Sequence, residues 1–381
     1  MLYLTSLVSA ALLVANSVVG HPGEAPPTSF ELSRRAELEM VTRRSLADCQ
    51  SHLARRGYTD KTAARRAALA EELRQKRGLA TQVVGTSHLA NVTGLDPFTS
   101  NSSCVVTPEL DLGPYYVQGG YVRSDMREDQ IGVLAYVDIE LIDVSTCEPI
   151  TTAYLDVWHC NATGVYGGVV GNGNGDENDA SNWNNTFLRG IQQMNDEGYA
   201  QFETIFPGHY SGRTTHFHMI VHENGTLFDN GTFSSDTTQH IGQVFFDQDL
   251  INSVEATSPY TSSTYSITLN ENDPDFVSAV TPETGTGVDP VLDYVYLGDD
   301  LSDGLLLWGT VGVDLTASYE ANPGGYLTEA GVVENTDSRA NEGASGMNGT
   351  DAGSDGSDGT TTTTDSESSS TTQLICTCSS I

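Results

Sequence analysis

The segment GHYSGRTTHFH, residues 208–218, carries two histidines at alternate positions, preceded by a tyrosine and an arginine. Successive side chains of an extended strand point to opposite faces, so His216 and His218 share one face, with Cα atoms roughly 6.5 to 7 Å apart. Two imidazoles at this spacing can bind one metal ion. An exposed strand face can carry the same pair without a metal, so the neighbouring residues decide between the two interpretations.

Two tyrosines at predicted turns favour the metal site. Tyr210 follows a Pro-Gly turn at Pro207 and Gly208. Tyr166 ends the segment LDVWHCNATGVY, residues 155–166, which is typical of a buried strand that closes in an Asn-to-Gly turn. Both phenols are therefore expected at strand ends, where they can reach the histidine pair.

Several motifs follow one another in a familiar order. They are TPE (107–109), GPYY (113–116), DVWHCNATGVY (156–166), FPGHY (206–210), RTTHFH (213–218) and IGQVFF (241–246). Together they resemble the intradiol ring-cleavage dioxygenases, the family of catechol 1,2-dioxygenases and protocatechuate 3,4-dioxygenases, and in particular its secreted fungal branch. The resemblance covers roughly residues 100 to 250.

This resemblance implies a mononuclear, non-haem Fe(3+) cofactor with four protein ligands. The matching positions are Tyr166, Tyr210, His216 and His218. Phenolates are hard anionic donors that favour the ferric state, and a bound ion lowers the pKa of a tyrosine far below its usual value near 10. Ferrous oxygenases use two histidines and a carboxylate instead, and this motif has no carboxylate at that position.

The resemblance also implies the reaction. An aromatic diol and O2 would react, and the ring would be cleaved between the two hydroxylated carbons to give a cis,cis-muconate. Tyr210 would accept a substrate proton, Arg213 would stabilise negative charge on the ring, and Gln243 would donate a hydrogen bond. Two alternatives stay open: Arg213 as the structural partner of a carboxylate, and Gln243 as a partner of backbone groups at a strand start.

The ends of the chain and its cysteines predict a secreted, extracellular glycoprotein. Residues 1–20 contain an apolar run typical of a signal peptide, and nothing elsewhere is expected to span a membrane. Six cysteines fit disulfides of open connectivity, although a Cys147–Cys160 pair is geometrically awkward. Glycosylation triplets begin at Asn91, Asn101, Asn161, Asn184, Asn224, Asn230 and Asn348.

Charge is distributed unevenly along the chain. The net charge is −34, and 12 of the 17 lysines and arginines lie between Arg34 and Arg77. Beyond residue 80 the chain has five arginines and no lysine. Such an acidic body repels nucleic acid and anionic membranes, so neither is expected as a partner. It also disfavours carboxylated substrates, although the local charge of the pocket decides that point.

The chain is expected to divide into four parts. These are a signal peptide (1–20), a basic, partly helical extension or propeptide (21–99), a catalytic domain (100–322) and a disordered low-complexity tail (323–381). Apolar spacing predicts helices within residues 45–78, interrupted at Gly57 and ended by Gly78. A homodimer through this helical region is a hypothesis from the family. The alternatives are a helix packed on its own domain and a removable propeptide.

The catalytic domain is expected to be all-β. Short segments rich in β-branched and aromatic residues predict strands at 133–144, 152–158, 199–205, 216–221, 243–246, 264–269 and 305–313. They favour an antiparallel β-sandwich with the iron site on loops and strand ends. Two other functions remain to be weighed: a non-catalytic secreted β-sandwich binding module with a vestigial site, and a different His-based metal oxygenase.

Overall fold

The computed structural model describes residues 49–79, 84–86, 97–99, 112–171, 173–280 and 289–338. The predicted signal peptide, the TPE motif and residues 339–381 lie outside these ranges. So do the triplets at Asn91, Asn101 and Asn348 and three of the cysteines, Cys104, Cys376 and Cys378.

The described chain is mostly β-structure with few helices. The helices are α1 (residues 49–55), α2 (Tyr58–Lys76), α3 (Gln248–Glu255) and α4 (Pro274–Val280). The strands are β1 (Val84–Thr86), β2 (Val117–Gln118), β3 (Leu134–Asp143), β4 (Glu148–Pro149), β5 (Tyr154–Trp158), β6 (Arg189–Gln193), β7 (Tyr199–Ile205), β8 (His216–His222), β9 (Thr226–Leu227), β10 (Phe233–Ser234), β11 (His240–Phe245), β12 (Asp293–Tyr296), β13 (Leu305–Val313), β14 (Gly325–Thr328) and β15 (Gly331–Glu334). In the described ranges, no helix is both long enough and apolar enough to cross a membrane.

The two larger sheets differ in strand direction. The four-stranded sheet, in the order β11-β8-β5-β6, is antiparallel throughout. The six-stranded sheet has the order β1-β12-β13-β3-β4, with β7 also paired to β3. Strands β3 and β13 run parallel from Leu305 opposite Ala135 to Val313 opposite Asp143.

The prediction of a purely antiparallel arrangement is therefore wrong for the six-stranded sheet. Residue patterns specify which segments are strands, but they do not specify the direction in which a distant strand returns. Strand β13 follows β3 only after the whole four-stranded sheet and helices α3 and α4. Such a long connection allows parallel pairing, and both strands are buried along almost their whole length, as parallel strands usually are.

Most of the predicted strands are confirmed, with bounds shifted by a few residues. The exception is 264–269, which is not a strand in the structure. Its β-branched composition suggested a strand, but Ile267 and Leu269 are largely exposed, so the segment has no face to bury. Helices α3 and α4 were not predicted; they have only eight and seven residues, about two turns each.

One apolar core contains side chains from both larger sheets. Val137 and Leu307 contribute from the six-stranded sheet, and Val157, Phe217 and Val244 from the four-stranded sheet. Burial of one face of β8 in this core fixes the register of the strand. The alternate residues of β8 then point to the opposite face, where the candidate site lies.

The N-terminal helices follow the prediction. Gly57, between α1 and α2, and Gly78, just after α2, both have positive φ angles (69° and 71°), which glycine adopts without strain. A disulfide joins Cys49 of α1 to Cys147 in the β3–β4 turn. Cys160 is buried with a free thiol, so the pair expected to be awkward does not form.

A buried charge network attaches α2 to the six-stranded sheet. The Nε of Arg66 donates to Asp138 (3.1 Å) and its Nη2 to Glu140 (3.2 Å). Arg65 contacts the same two carboxylates. These contacts agree with a helix packed on its own domain, whereas the homodimer remains a hypothesis.

Regular structure continues past residue 323, where the low-complexity tail was predicted to begin. Strands β14 and β15 form a hairpin, and β14 runs parallel to β2. Val332 of this hairpin packs in an apolar cluster with Tyr115 and Tyr166. The chain beyond residue 323 is rich in Gly, Ser, Thr and Asp as a whole. The two four-residue strands of this hairpin are too short to stand out from that composition.

The Arg66 network yields a stability prediction. Arg66→Ala leaves Asp138 and Glu140 buried with less positive charge beside them, and it should lower the free energy of unfolding by about 3–5 kcal/mol in urea denaturation. The matched control is Arg55→Ala on the exposed side of α1, which should change it by less than about 0.5 kcal/mol. Equal effects of the two substitutions would show that α2 is not anchored by this network.

Candidate functional site

Strand β8 places the two histidines as the sequence predicts. His216 and His218 are both buried, and their Nε2 atoms lie 3.1 Å apart. Phe217, between them, points into the apolar core. The ring of His218 stacks on Trp158 of the neighbouring strand β5, with ring centroids 4.9 Å apart and planes within 4°. This stacking limits rotation of the imidazole.

The hydrogen bonds of His216 define its tautomer. Its Nδ1 lies 2.6 Å from the carbonyl oxygen of Thr214 and must donate to it. In the neutral ring the lone pair is therefore on Nε2, which faces His218 and lies 3.3 Å from the hydroxyl of Tyr210. A backbone carbonyl that orients the imidazole in this way is the usual second partner of a metal-binding histidine.

Tyr166 and Tyr210 lie on two loops that touch each other. A Cβ at Gly164 would lie 2.2 Å from the carbonyl oxygen of His209, and one at Gly208 would lie 2.5 Å from that of Ala162. Only glycine permits this approach. It brings the two phenol rings within 5.4 Å, centroid to centroid.

The loop of Tyr166 is fixed by side-chain amides. Asn161 Oδ1 accepts hydrogen bonds from the backbone N–H groups of Thr163 and Val165, both at 3.0 Å. Asn174 accepts from the N–H of Tyr166 (2.7 Å) and donates to its carbonyl (2.8 Å). The phenol is thus held in position, and among the described residues no hydrogen bond of normal geometry reaches its buried hydroxyl, although the Tyr210 hydroxyl lies close enough to act on it electrostatically.

These four side chains fit a ferric ion. They bring two phenol oxygens and two imidazole nitrogens to one buried place, and hard oxygen donors with imidazole suit iron. An unsatisfied buried hydroxyl is costly unless another partner is provided for it. Within the described ranges, His, Cys, Asp and Glu side chains do not gather in threes at any point that could hold a metal, so the tyrosines are essential to the donor set.

Burial keeps both phenols protonated in the protein alone. Desolvation raises the pKa of Tyr166 well above its usual range, and the neighbouring Tyr210 raises it further. Desolvation also raises the pKa of Tyr210, and the positive charge of Arg213 opposes the shift at both tyrosines. Conversion to phenolates therefore needs a further cation, so binding of a ferric ion here would be coupled to release of protons.

Arg213 is fully buried beside the site. Its Nε donates to Asp273 (2.8 Å), and its Nη2 donates to Gln243 Oε1 (2.6 Å) and lies 2.9 Å from Asp275. Arg213 therefore has carboxylate partners, as the structural alternative expected. This pairing is compatible with a role of Arg213 beside the substrate. Gln243, opposite His218 on β11, accepts this hydrogen bond from Arg213, and its Nε2 lies 3.4 Å from Asp275.

Two acidic residues around Arg213 were missed by the sequence reasoning. Asp273 accepts from the backbone N–H of Thr214 (2.7 Å) as well as from Arg213, and its other oxygen caps α4. Asp275 lies in the first turn of α4. The sequence Asp-Pro-Asp at 273–275 is a helix-start signal that could have located them.

Arg189 is a further buried residue that was missed. Its guanidinium donates to the carbonyl oxygen of Gly167 (2.6 and 2.9 Å), next to Tyr166, and to that of Tyr115 (2.6 Å). The Tyr115 ring stacks on Tyr166 with centroids 4.5 Å apart. Arg189 thereby ties strand β6 to both tyrosine-bearing segments.

The chain is similar to known dioxygenases. A family described as "Dioxygenase" matches residues 112–252. The intradiol ring-cleavage dioxygenase of Tetranychus urticae is 31% identical over 57% of this chain and 98% of its own, with a TM-score of 0.44. The chain belongs to the intradiol ring-cleavage dioxygenase family. Members of this family are enzymes, and the resemblance predicted from the motifs is confirmed.

Two further solved structures of dioxygenases match this chain. The dioxygenase domain of a Streptomyces carbohydrate-binding fusion protein is 20% identical over 54% of this chain and 97% of its own, with a TM-score of 0.33. Catechol 1,2-dioxygenase from Acinetobacter, inhibited by bound mercury, is 17% identical over 54% of this chain and 62% of its own, with a TM-score of 0.34. A search of curated proteins gives no match.

The buried hydroxyl of Tyr166 leads to a second prediction. In the metal-free protein, Tyr166→Phe removes an unsatisfied group, so the free energy of unfolding should stay the same or rise by up to about 1 kcal/mol. The control is Tyr260→Phe, because the buried Tyr260 hydroxyl donates to Phe206 (2.6 Å) and accepts from Val133 (3.0 Å). That change should cost about 1–2 kcal/mol. Equal losses in thermal or urea unfolding would contradict the account.

Proposed function

We propose that this protein is an extracellular dioxygenase that uses Fe(3+) and O2 to cleave catechol-type rings between the two hydroxylated carbons, giving cis,cis-muconate-type products. The observation that carries the proposal is the buried meeting of Tyr210, His216 and His218, with the unsatisfied Tyr166 hydroxyl beside them. Membership of the family supports the same reaction class.

Each side chain has a role in this proposal. Tyr166, Tyr210, His216 and His218 would hold the ion, which supplies a Lewis acid that lowers the pKa of the catechol hydroxyls. Tyr210 would accept one of the released protons, which is the role that the family resemblance implies for this position. The carbonyl of Thr214 keeps the Nε2 lone pair of His216 available.

Arg213 would contribute positive charge next to the ring. Its electrostatic effect reaches Tyr210 and Tyr166, so the same charge would favour an anionic substrate oxygen in their place. Gln243 shares a hydrogen bond with Arg213 and would hold the guanidinium in position. Both groups are buried, where electrostatic interactions are stronger than in water.

The wider setting is part of the same proposal. The shared core of the two larger sheets supports a β-sandwich for the catalytic domain. The Cys49–Cys147 disulfide supports an oxidising, extracellular compartment, in agreement with the predicted signal peptide. A non-catalytic module with a vestigial site is disfavoured, because it would be expected to lose at least one donor, and all four donors are present and buried.

One experiment separates these functions. Protein loaded with ferric iron should be reddish, with a broad visible band that changes when catechol is added without oxygen. Admission of O2 should then consume one equivalent per catechol and yield a muconate. A colourless preparation that contains stoichiometric iron would exclude tyrosinate ligation, and a semialdehyde product would exclude cleavage between the hydroxyls.

The histidine pair gives a third prediction. His216→Ala and His218→Ala should each abolish iron retention, measured as iron per protein after gel filtration. The matched control is His222→Ala on the same face of β8, where the ring Nδ1 donates to the carbonyl of Thr237 (2.7 Å). That variant should keep its iron. Loss of iron from all three variants alike would indicate general damage to β8 rather than loss of a ligand.

Arg213 gives a fourth prediction. Arg213→Lys keeps a positive charge between Asp273 and Asp275 but loses the planar fork that contacts Gln243 at the same time. The variant should fold and bind iron, and its kcat for catechol should fall at least about tenfold. A variant with an unchanged kcat would remove Arg213 from the proposed mechanism.

A further inference from the structure

We propose that the site selects catechols whose ring substituents carry no negative charge, and that Asp275 is a specificity-determining residue for this selection. The inference rests on the proposed function and names its substrate class. Catechol, methylcatechols, hydroxyquinol and larger neutral phenolic diols would be accepted. Protocatechuate and other ring carboxylates would be rejected.

Positive charge is scarce in the part of the chain that forms the candidate site. Beyond residue 80 the chain has only Arg123, Arg127, Arg189, Arg213 and Arg339, and no lysine. Arg123 pairs with Glu128 and Arg127 with Asp125 and Glu203, away from the tyrosines. Arg339 lies outside the described residues. Arg213 and Arg189 are thus the arginines buried next to the candidate site in the part of the chain that the structure describes.

Acceptor groups of the protein itself already contact both Arg213 and Arg189. Arg213 lies between the carboxylates of Asp273 and Asp275. Its guanidinium still acts on the phenol oxygens of Tyr166 and Tyr210 beside it, whereas a ring substituent farther away would meet the formal charge of this group of three, which is −1 rather than +1. Arg189 donates to the carbonyls of Gly167 and Tyr115, and the nearby carboxyl of Asp156 acts on it electrostatically.

The neighbouring histidine is engaged in the same way. His209, adjacent to Tyr210 in the chain, contacts the Glu255 carboxylate through Nδ1 (2.7 Å) and the Tyr265 carbonyl through Nε2 (3.1 Å). The cationic groups described around the phenols therefore each have a protein acceptor. A substrate carboxylate would have to compete with these acceptors for its counter-ion.

The energetic cost of burying a substrate carboxylate here does not depend on the pose of the ring. A carboxylate that leaves water for a buried pocket loses its hydration, and only a paired cation offsets that loss. Here the nearest arginine is already paired with two acids, and Asp275 adds like-charge repulsion. A neutral substituent of the same size has neither cost. The acidic surface, with a net charge of −34 for the chain, acts in the same direction during approach.

Asp275, rather than Asp273, is assigned the specificity-determining role, because Asp273 also holds backbone groups of the fold in place. The two oxygens of Asp273 accept from the backbone of Thr214 and from the first turn of α4 as well as from Arg213. Asp275 keeps 9% of its side chain exposed and lies 2.9 Å from Nη2 of Arg213. Asp275→Asn therefore removes one negative charge while keeping the shape and one acceptor oxygen.

The test uses a pair of substrates that differ in charge but hardly in shape. Oxygen uptake by the iron-loaded full chain gives kcat/KM for catechol, 3,4-dihydroxybenzamide and 3,4-dihydroxybenzoate. Anaerobic titration of the visible band gives the Kd of each compound for the same protein. The benzamide should exceed the benzoate at least about tenfold in kcat/KM, and its Kd should be lower by a similar factor. If neither substituted ring is cleaved, the ratio of the two Kd values decides.

Two variants assign the effect to Asp275. In Asp275→Asn the preference for benzamide over benzoate should fall about tenfold. The matched control is Asp249→Asn, since Asp249 is likewise the second residue of a short helix, α3, but is exposed to solvent. It should leave the preference unchanged. An unchanged preference in Asp275→Asn, or an equal fall in the control, would overturn the role of Asp275.

The outcomes separate the inference from the function on which it rests. A wild-type protein that binds or cleaves the benzoate as well as the benzamide would overturn the charge selection and leave ring cleavage intact. A protein that lacks the visible band and cleaves none of the three compounds would overturn the proposed function itself.

Discussion

The alternation of side chains along β8 is the constraint on which the rest of the structure depends. Phe217 and its neighbours at every second position are buried in the core shared by the two larger sheets. Their burial fixes the register of the strand, and a slip of one residue would exchange its two faces. Because the register is fixed, His216 and His218 must project together to the other face, where β5 supplies Trp158 as a stacking partner. The placement of the two histidines on one face is thus a consequence of core packing.

The loops of Tyr166 and Tyr210 add two phenol oxygens to the histidine pair of β8. Two glycines allow the loops of Tyr166 and Tyr210 to touch, at distances where any Cβ would clash with a backbone oxygen. Burial then holds both phenols in their neutral form until a cation arrives, while the charge of Arg213 opposes that effect. The phenols of Tyr166 and Tyr210 are therefore neutral, rather than ionised, before a cation binds. Folding brings the four side chains together, and under the proposed function a bound ferric ion would ionise the phenols.

The sequence predicted the local features well, because they depend on neighbours in the chain. The period of two on β8, the helix break at Gly57 and most strands are of this kind. It did not predict the parallel pairing of β3 with β13 or the Cys49–Cys147 disulfide, which join distant segments. The carboxylates around Arg213 were missed for the same reason: Asp273 is 60 residues away in the chain. Local periodicity carries no information about such contacts.

Under the proposed function, Tyr166, Tyr210, His216 and His218 bind one ferric ion. The most direct test is an anomalous difference map at the iron absorption edge, from crystals grown with ferric iron. We expect one strong peak in contact with the two phenol oxygens and the Nε2 atoms of both histidines. An iron peak elsewhere, or one that lacks either tyrosine, would contradict this assignment of the four ligands.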